Sequence, residues 1–307
     1  MMTTDKTARP KRIWQQIDGV LLLDKPLGLT SNDALQKARR LFSAAKGGHT
    51  GTLDPAATGL LPLCFGEATK FSADLLNADK TYEAVLQLGV TTDSGDAEGQ
   101  VVATAPMTVD EAAIRQALPR FMGDIQQVPP MHSALKHQGR PLYELARQGI
   151  EVTREARTVT IHALDWLGLD GTSLTLRVRC SKGTYIRTLA ADLGQMLGCG
   201  AHLTTLRRTA VGDLDLTGAV TLAELATLTE AERQQRLQPV DALLRSLPRV
   251  DLDEPAADRF SHGNPVDLPP HLSGKIRVYA ADRLIGVGEP GADRRLWPKR
   301  LCCDCCE

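Results

Sequence analysis

The run Gly48-His49-Thr50-Gly51-Thr52-Leu53-Asp54-Pro55-Ala56-Ala57-Thr58-Gly59 carries a single acidic side chain. Its glycines admit positive φ and let backbone approach a ligand closely. Pro55 fixes its own φ and biases Asp54 away from helical geometry. Such a loop can present one carboxylate in a fixed pose, as a nucleophile or as an acid–base group. A loop Asp can equally be a turn residue or a cap, and the run alone does not choose. No second carboxylate, metal cluster or Ser–His pair lies nearby in sequence, and the Gly-x-x-x-x-Gly-Lys phosphate loop is absent. Two further segments carry chemistry. Lys80-Thr81-Tyr82-Glu83 sets an aromatic at a strand start, and Ser181 to Thr188 brings Tyr185 and Arg187 past a Gly183 turn. An Arg opposite a carboxylate favours its charged form. A Tyr over the site could stack on a base, or could be a core aromatic with its hydroxyl at the surface.

These residues need elements to hold them. Gly19 to Leu23 reads as a strand, and Thr30-Ser31-Asn32-Asp33 as the capped start of a helix running to Phe42. Lys46 to Gly59 reads as a loop. Leu60 to Phe65 reads as a buried strand in which Pro62 predicts an edge or a bulge. Ala68 to Leu76 has helical spacing, Thr81 to Val90 alternates as a strand, and Val101 to Ala103 returns after an Asp- and Gly-rich turn. Thr108-x-x-Glu111 predicts a capping box. Pro141 to Arg147 predicts a short helix, Thr158 to Leu169 and Ser173 to Cys180 a hairpin, Tyr185 to Leu197 a helix stopped by Gly198, and His202 to Val211 a strand. Thr221-x-x-Glu224 predicts another cap. The mixture lacks a strict βαβ rhythm, so the fold class is α+β with a mixed, mainly antiparallel sheet flanked by helices. Beyond Leu247 the chain turns rich in Pro, Asp and Gly before a hairpin over Lys275 to Gly288, which predicts a small β-rich C-terminal module. The expected organisation is a polar extension over 1–18, a catalytic domain over 19–247, the module over 248–300 and a Cys-rich tail over 301–307.

The 307 residues suffice for one large core and a smaller one. Hydrophobic residues at 42% and charged residues at 24% are ordinary for a soluble globular chain. A net charge of −1 gives no global basic signal, so a nucleic acid would need a local patch. Arg39, Arg40, Lys46, Arg207 and Arg208 are candidates, against the alternative of a solvated face. No apolar run reaches the ~18 residues of a membrane span, and Met1 to Lys11 is polar and basic, unlike a secretory signal. A cytoplasmic protein is expected. Cys64, Cys180 and Cys199 read as reduced, partly buried thiols. Cys302, Cys303, Cys305 and Cys306 contain Cys-x-x-Cys spacings, but adjacent cysteines on a chain end supply a tetrahedral site poorly, and an incidental tail is expected.

Six ordered segments then carry a resemblance: Leu22 to Pro26, Gly48 to Gly59, Gly66 to Lys70, Lys80 to Tyr82, Ser133 to Lys136 and Lys182 to Thr188. Together the chain resembles the bacterial TruB family of tRNA pseudouridine synthases, from about Gly19 to Val220. The resemblance implies a pseudouridine synthase fold and isomerisation of uridine 55 in the T loop of tRNA. It implies Asp54 as the essential carboxylate, paired with Arg187. Tyr82 would stack on the base, Tyr185 would line the site and Leu206 would wall it, with Lys25 and His49 near the RNA. The C-terminal module would be a PUA-like RNA-binding appendage. His132 departs from the family's more usual Tyr.

The chemistry suits this set. Pseudouridine formation breaks a C–N glycosidic bond and makes a C–C bond to the same ribose, so no redox cofactor or metal is demanded. The base must leave its stack at a cost of a few kcal/mol, offset by phosphate contacts that make binding salt-sensitive. The expected partner is the T stem-loop of tRNA, no membrane is expected, and nothing demands more than a monomer. A non-catalytic RNA-binding or RNA-folding protein using the same surface is the rival reading.

Overall fold

The computed structural model describes residues 13–131, 133 and 135–302. His132 and the tail cysteines Cys303, Cys305 and Cys306 lie outside the described residues. Strand β1 (Gly19–Lys25) leads to helix α1 (Ser31–Phe42). Thr30 caps α1 by accepting from the Asp33 amide, and Ala34, Leu35, Ala38 and Phe42 form its buried face. A fully buried Leu or Phe there contributes roughly 1.5–3 kcal/mol. β2 (Gly47–His49) and β3 (Ala57–Phe65) flank the Asp54 segment. The expected long loop is therefore shorter, because Gly47–His49 finds a partner in Leu63–Phe65.

A 3₁₀ turn over Gly66–Lys70 and helix α2 (Ser72–Leu76) replace the continuous helix expected from Ala68. β4 (Lys80–Leu88) follows, then the small hairpin β5 (Val90–Thr92) and β6 (Val101–Thr104). Helix α3 (Glu111–Ala117) is capped two residues later than expected. Asp110, not Thr108, accepts from the Ala113 amide at 2.8 Å. β7 (Gly123–Gln127), the short pair β8 (Lys136–His137) and β9 (Arg140–Pro141), and α4 (Leu142–Arg147) come next. The predicted hairpin is β10 (Arg157–Asp170) with β11 (Ser173–Cys180), followed by α5 (Ile186–Met196), β12 (Ala201–Val211) and β13 (Leu214–Asp215). α6 (Leu222–Thr227) opens on the expected capping box of Thr221 and Glu224, and α7 (Glu230–Gln234) and β14 (Leu237–Gln238) complete this part.

The main sheet runs β14-β1-β3-β12-β4-β11-β10-β7, with β2 on β3 and β13 on β12. Its pairings are antiparallel except β3 with β12, which run parallel over Leu206↔Ala57, Arg207↔Thr58 and Arg208↔Gly59. The fold class is thus α+β with a mixed, mainly antiparallel sheet. β3 is central rather than an edge. Pro62 is tolerated because it sits where the partner of β3 changes from β12 to β2. Its carbonyl faces that gap and accepts from the Thr50 amide at 3.2 Å. A residue's N–H and C=O point to the same side of a strand, so the missing N–H costs β1 nothing.

The parallel contact demands a glycine. Gly59 has φ +99°, and a Cβ there would lie 2.2 Å from the Arg208 carbonyl oxygen. Gly59→Ala combines a rare backbone conformation with a backbone clash. It should lower stability by about 3 kcal/mol or more, read as a fall in urea midpoint at constant slope.

A second sheet, β15 (Arg249–Leu252), β17 (Ile276–Ala280), β18 (Arg283–Pro290), β19 (Arg295–Leu301) and β16 (Val266–Asp267) in that order, forms the C-terminal module with helix α8 (Glu254–Ser261). Its own core contains Phe260, Ile276, Val278 and Leu296. It is fastened to the main body by Tyr279 Oη donating to Asp241 (2.5 Å), Lys275 Nζ to Asp74 (2.6 Å) and Lys70 Nζ to the Leu301 carbonyl (3.0 Å). No helix among the described residues is long and apolar enough to cross a membrane.

Candidate active site

Asp54 sits between two turns of backbone that other elements hold. The Ser31 hydroxyl at the start of α1 donates to the Leu53 carbonyl (3.0 Å) and accepts from the Leu53 amide (2.7 Å). The Gly28 amide donates to the Pro55 carbonyl (2.9 Å). From the other side, Arg208 on β12 donates to the carbonyls of Leu60 (2.8 Å), Thr52 (3.3 Å) and Gly51 (3.3 Å). Arg208 is 1% exposed, so it braces the loop rather than offering a surface cation. Lys25 is fully buried and donates to the carbonyls of Pro26 and Leu29 at 3.0 and 2.7 Å. It too is a brace, and it does not reach the surface where an RNA would lie. Burial pushes its ammonium below the usual lysine range, Asp54 opposes this, and Arg208 adds to it.

The Asp54 side chain remains 55% exposed. Arg187, on the first turn of α5 and 9% exposed, donates to it from Nη2 at 3.2 Å. Its Nη1 donates to Asp96 at 3.0 Å. Asp96 is 13% exposed and is itself held by the Ser94 hydroxyl (2.5 Å) and the Glu98 amide (3.1 Å). One guanidinium therefore bridges a buried carboxylate and an open one, and the charge-assisted bonds fix both. Sequence reasoning had Asp96 as part of a turn. Its acidic type was the only local signal, since its partner lies 91 positions away.

A cavity of about 560 Å³ opens beside Asp54 and Arg187, walled by Tyr82, Tyr185, Leu206 and Arg208 among others. Tyr82 stands on β4 opposite Val178 and Arg208. Burial pushes its phenol up, while Arg208 acts in the other direction. Tyr185 precedes α5, and its peptide is gripped by Gln127, whose side chain accepts from the Tyr185 amide (3.0 Å) and donates to its carbonyl (3.2 Å). Burial raises the Tyr185 phenol, with Ser133 and Arg187 lowering it. Both phenols are thus kept neutral, suited to stacking and hydrogen bonding. The structure brings Asp54, Tyr82, Tyr185, Arg187, Leu206 and Arg208 together around one space. It places His49 elsewhere, in a recess of about 670 Å³ on the other side of Asp54. The Gly51 amide donates to His49 Nδ1 at 3.4 Å, and burial lowers the ring's basicity.

The structure does not bring Arg207 to the cavity. It alternates away from its neighbours and binds both oxygens of Asp24, at 3.0 and 2.7 Å. Arg39 is also committed, to the carbonyls of Ala44 and Ala45 and the face of Trp14. Lys46 is exposed. Of the expected phosphate contacts, Arg208 is corrected outright, because a side chain this deeply buried meets no backbone of RNA. Among the described residues no group of three or more His, Cys, Asp or Glu is placed to hold a metal.

Lys80 also lines the cavity wall. Lys80 is 7% exposed and donates to the carbonyls of Leu76 (2.8 Å) and Ala78 (2.6 Å). Burial, then Arg208, lower it from 10.5 to about 8. Between those two values the unfolded chain binds the extra proton, so this group makes stability rise with pH across that window. Below about 8 its cost is present in full. Lys80→Met should remove this rise. The check is the wild-type-minus-variant difference in urea midpoint at about pH 7 and about pH 10; an unchanged difference would refute it.

Family comparison settles the lineage. A model of the TruB family pseudouridylate synthase N-terminal domain matches residues 39–186, and models of TruB C-terminal domains match 187–245 and 248–302. The tRNA pseudouridine synthase B of Dechloromonas aromatica (strain RCB) is 74% identical over 291 residues, covering 95% of this chain and 97% of its own. The chain belongs to the TruB family of pseudouridylate synthases. The tRNA pseudouridine synthase B of Aromatoleum aromaticum is 59% identical over 285 residues, covering 93% of this chain and 92% of its own. Among solved structures, a chain of a Cbf5–Nop10–Gar1 complex superposes with a TM-score of 0.71 at 26% identity, covering 97% of this chain and 92% of that one. TruB membership and this superposition agree with the pseudouridine synthase fold expected from the sequence.

Proposed function

We propose that this TruB-family chain isomerises uridine 55 in the T loop of tRNA to pseudouridine, with Asp54 as the catalytic carboxylate. The observation that carries the reading is an open carboxylate, clamped by a buried arginine, at the wall of a cavity with two neutral tyrosines. The relatives named tRNA pseudouridine synthase B supply the substrate class. The flipped uracil enters beside Tyr82 and Tyr185, with Leu206 closing the apolar wall. Asp54 acts at the sugar or the base while the glycosidic C–N bond breaks. The detached ring turns in place, C5 bonds to the ribose, and the C5 proton is lost as N1 gains one. Nothing enters or leaves in the balance. Arg187 keeps the carboxylate oriented, and Asp96 keeps Arg187 oriented. The C-terminal module extends the RNA-binding surface, and the protein works as a cytoplasmic monomer.

The test is incubation of unmodified tRNA with the purified protein in EDTA, followed by mapping of pseudouridine. One new pseudouridine at position 55 is the expected result. Pseudouridine at another position would overturn the site assignment, and none at all would overturn the reaction.

A further inference from the structure

We propose that Arg157 and Lys182 form a phosphate clamp for the nucleotide whose base enters the cavity, an inference that rests on the reading of the site given above. Lys80, Ile186, Arg187 and Arg208 on the cavity lining are buried, whereas Arg157, Lys182 and Gly183 on the same lining are exposed. This edge is one the sugar-phosphate backbone of a nucleotide can cross when its base lies beside Asp54. The cations deeper in the cavity are already engaged. Arg187 binds two carboxylates, and Lys80 and Arg208 bind carbonyls. The nearby strand cations are also neutralised, Arg177 by Glu83 and Arg179 by Asp79.

Arg157 and Lys182 differ. Among the described residues the Arg157 side chain has no hydrogen-bond or ion-pair partner, and the Lys182 ammonium donates only to the neutral amide oxygen of Asn77, at 2.7 Å. Their positions are fixed by the backbone. Arg157 opens β10 in register with Gln127, the residue that grips the Tyr185 peptide. Lys182 lies in the turn after β11, tied back by the Ser181 amide donating to the Thr160 carbonyl at 2.8 Å. Two unneutralised cations on the edge of one cavity offer a phosphodiester both a guanidinium and an ammonium. A guanidinium grips its oxygens with directed bonds, and an ammonium adds a point charge.

The experiment is a cycle on a T stem-loop RNA carrying a neutral methylphosphonate either 5′ or 3′ of the target uridine. Arg157→Gln and Lys182→Gln are each measured by equilibrium binding and by pseudouridine formation. With the natural phosphate, each variant should weaken binding about tenfold and reduce the slope of log affinity against log salt by about 0.7–0.9. With the methylphosphonate at the clamped position, the wild type should lose a similar factor and the variants almost nothing more. Effects that multiply at both methylphosphonate positions, or variants that bind as the wild type does, would overturn the clamp. The wild type's pseudouridine yield is read in the same tubes. An inactive wild type would overturn the functional reading, while binding still decides the clamp.

Discussion

Asp54→Asn should bind T stem-loop RNA within about threefold of the wild type yet form pseudouridine at least about 10³-fold more slowly, as expected when a nucleophilic or acid–base group is lost. The substitution keeps the shape and removes the charge. The buried Arg187 keeps its bond to Asp96, so the substitution strands no buried charge. The loop stays in place because its backbone is held by Ser31, Gly28 and Arg208 rather than by the carboxylate. The measurement is tritium release from C5-labelled uridine in tRNA, beside equilibrium binding of the same RNA. Normal release from the variant would overturn Asp54 as the catalytic carboxylate.

Arg187→Met should be damaging in two separable ways. It strands the Asp96 carboxylate in a buried site, which costs about 3–5 kcal/mol when a buried pair loses one member. It also frees Asp54 from its clamp. The double variant Arg187→Met/Asp96→Asn removes the stranded charge and should recover most of the stability while remaining inactive. Denaturant midpoints report the first effect and pseudouridine yield the second. If the double variant were as unstable as the single, the buried pair would not be the source of the loss. If it regained activity, the clamp on Asp54 would not matter.

The contrast between these two variants tracks what could be read along the chain. Asp54, Tyr82, Tyr185 and Arg187 stand in local runs with turn residues and strand or helix starts that mark them, and their resemblance to TruB segments is ordered and dense. The longer strands of the main sheet, β1, β3, β4, β10, β11 and β12, were readable because alternation and turn residues are local, whereas β2, β7, β13 and β14 are too short to carry that pattern. Asp96 was not, because its importance comes from an arginine 91 positions on. Lys25 and Arg208 were read as contacts to RNA for a related reason. A cation's residue type is visible in sequence, but its burial and its carbonyl partners are not. Pro62 suggested an edge because the general rule concerns a continuous partner, whereas β3 changes partners at that residue. The Thr108 cap failed to a nearer competitor, Asp110, which offers the same oxygen closer to the first apolar turn.

The bracing of the Asp54 loop by Arg208 has a consequence for how the protein is made. Residues 51 and 52 leave the ribosome long before residue 208, and their carbonyls wait more than 150 positions for the guanidinium that receives them. Contacts of such separation form late, since the intervening chain must be closed first. A nascent chain can carry the whole Gly48 to Gly59 segment and still lack its working shape. A polypeptide stalled or clipped before β12 therefore lacks the guanidinium that braces the carbonyls of residues 51 and 52.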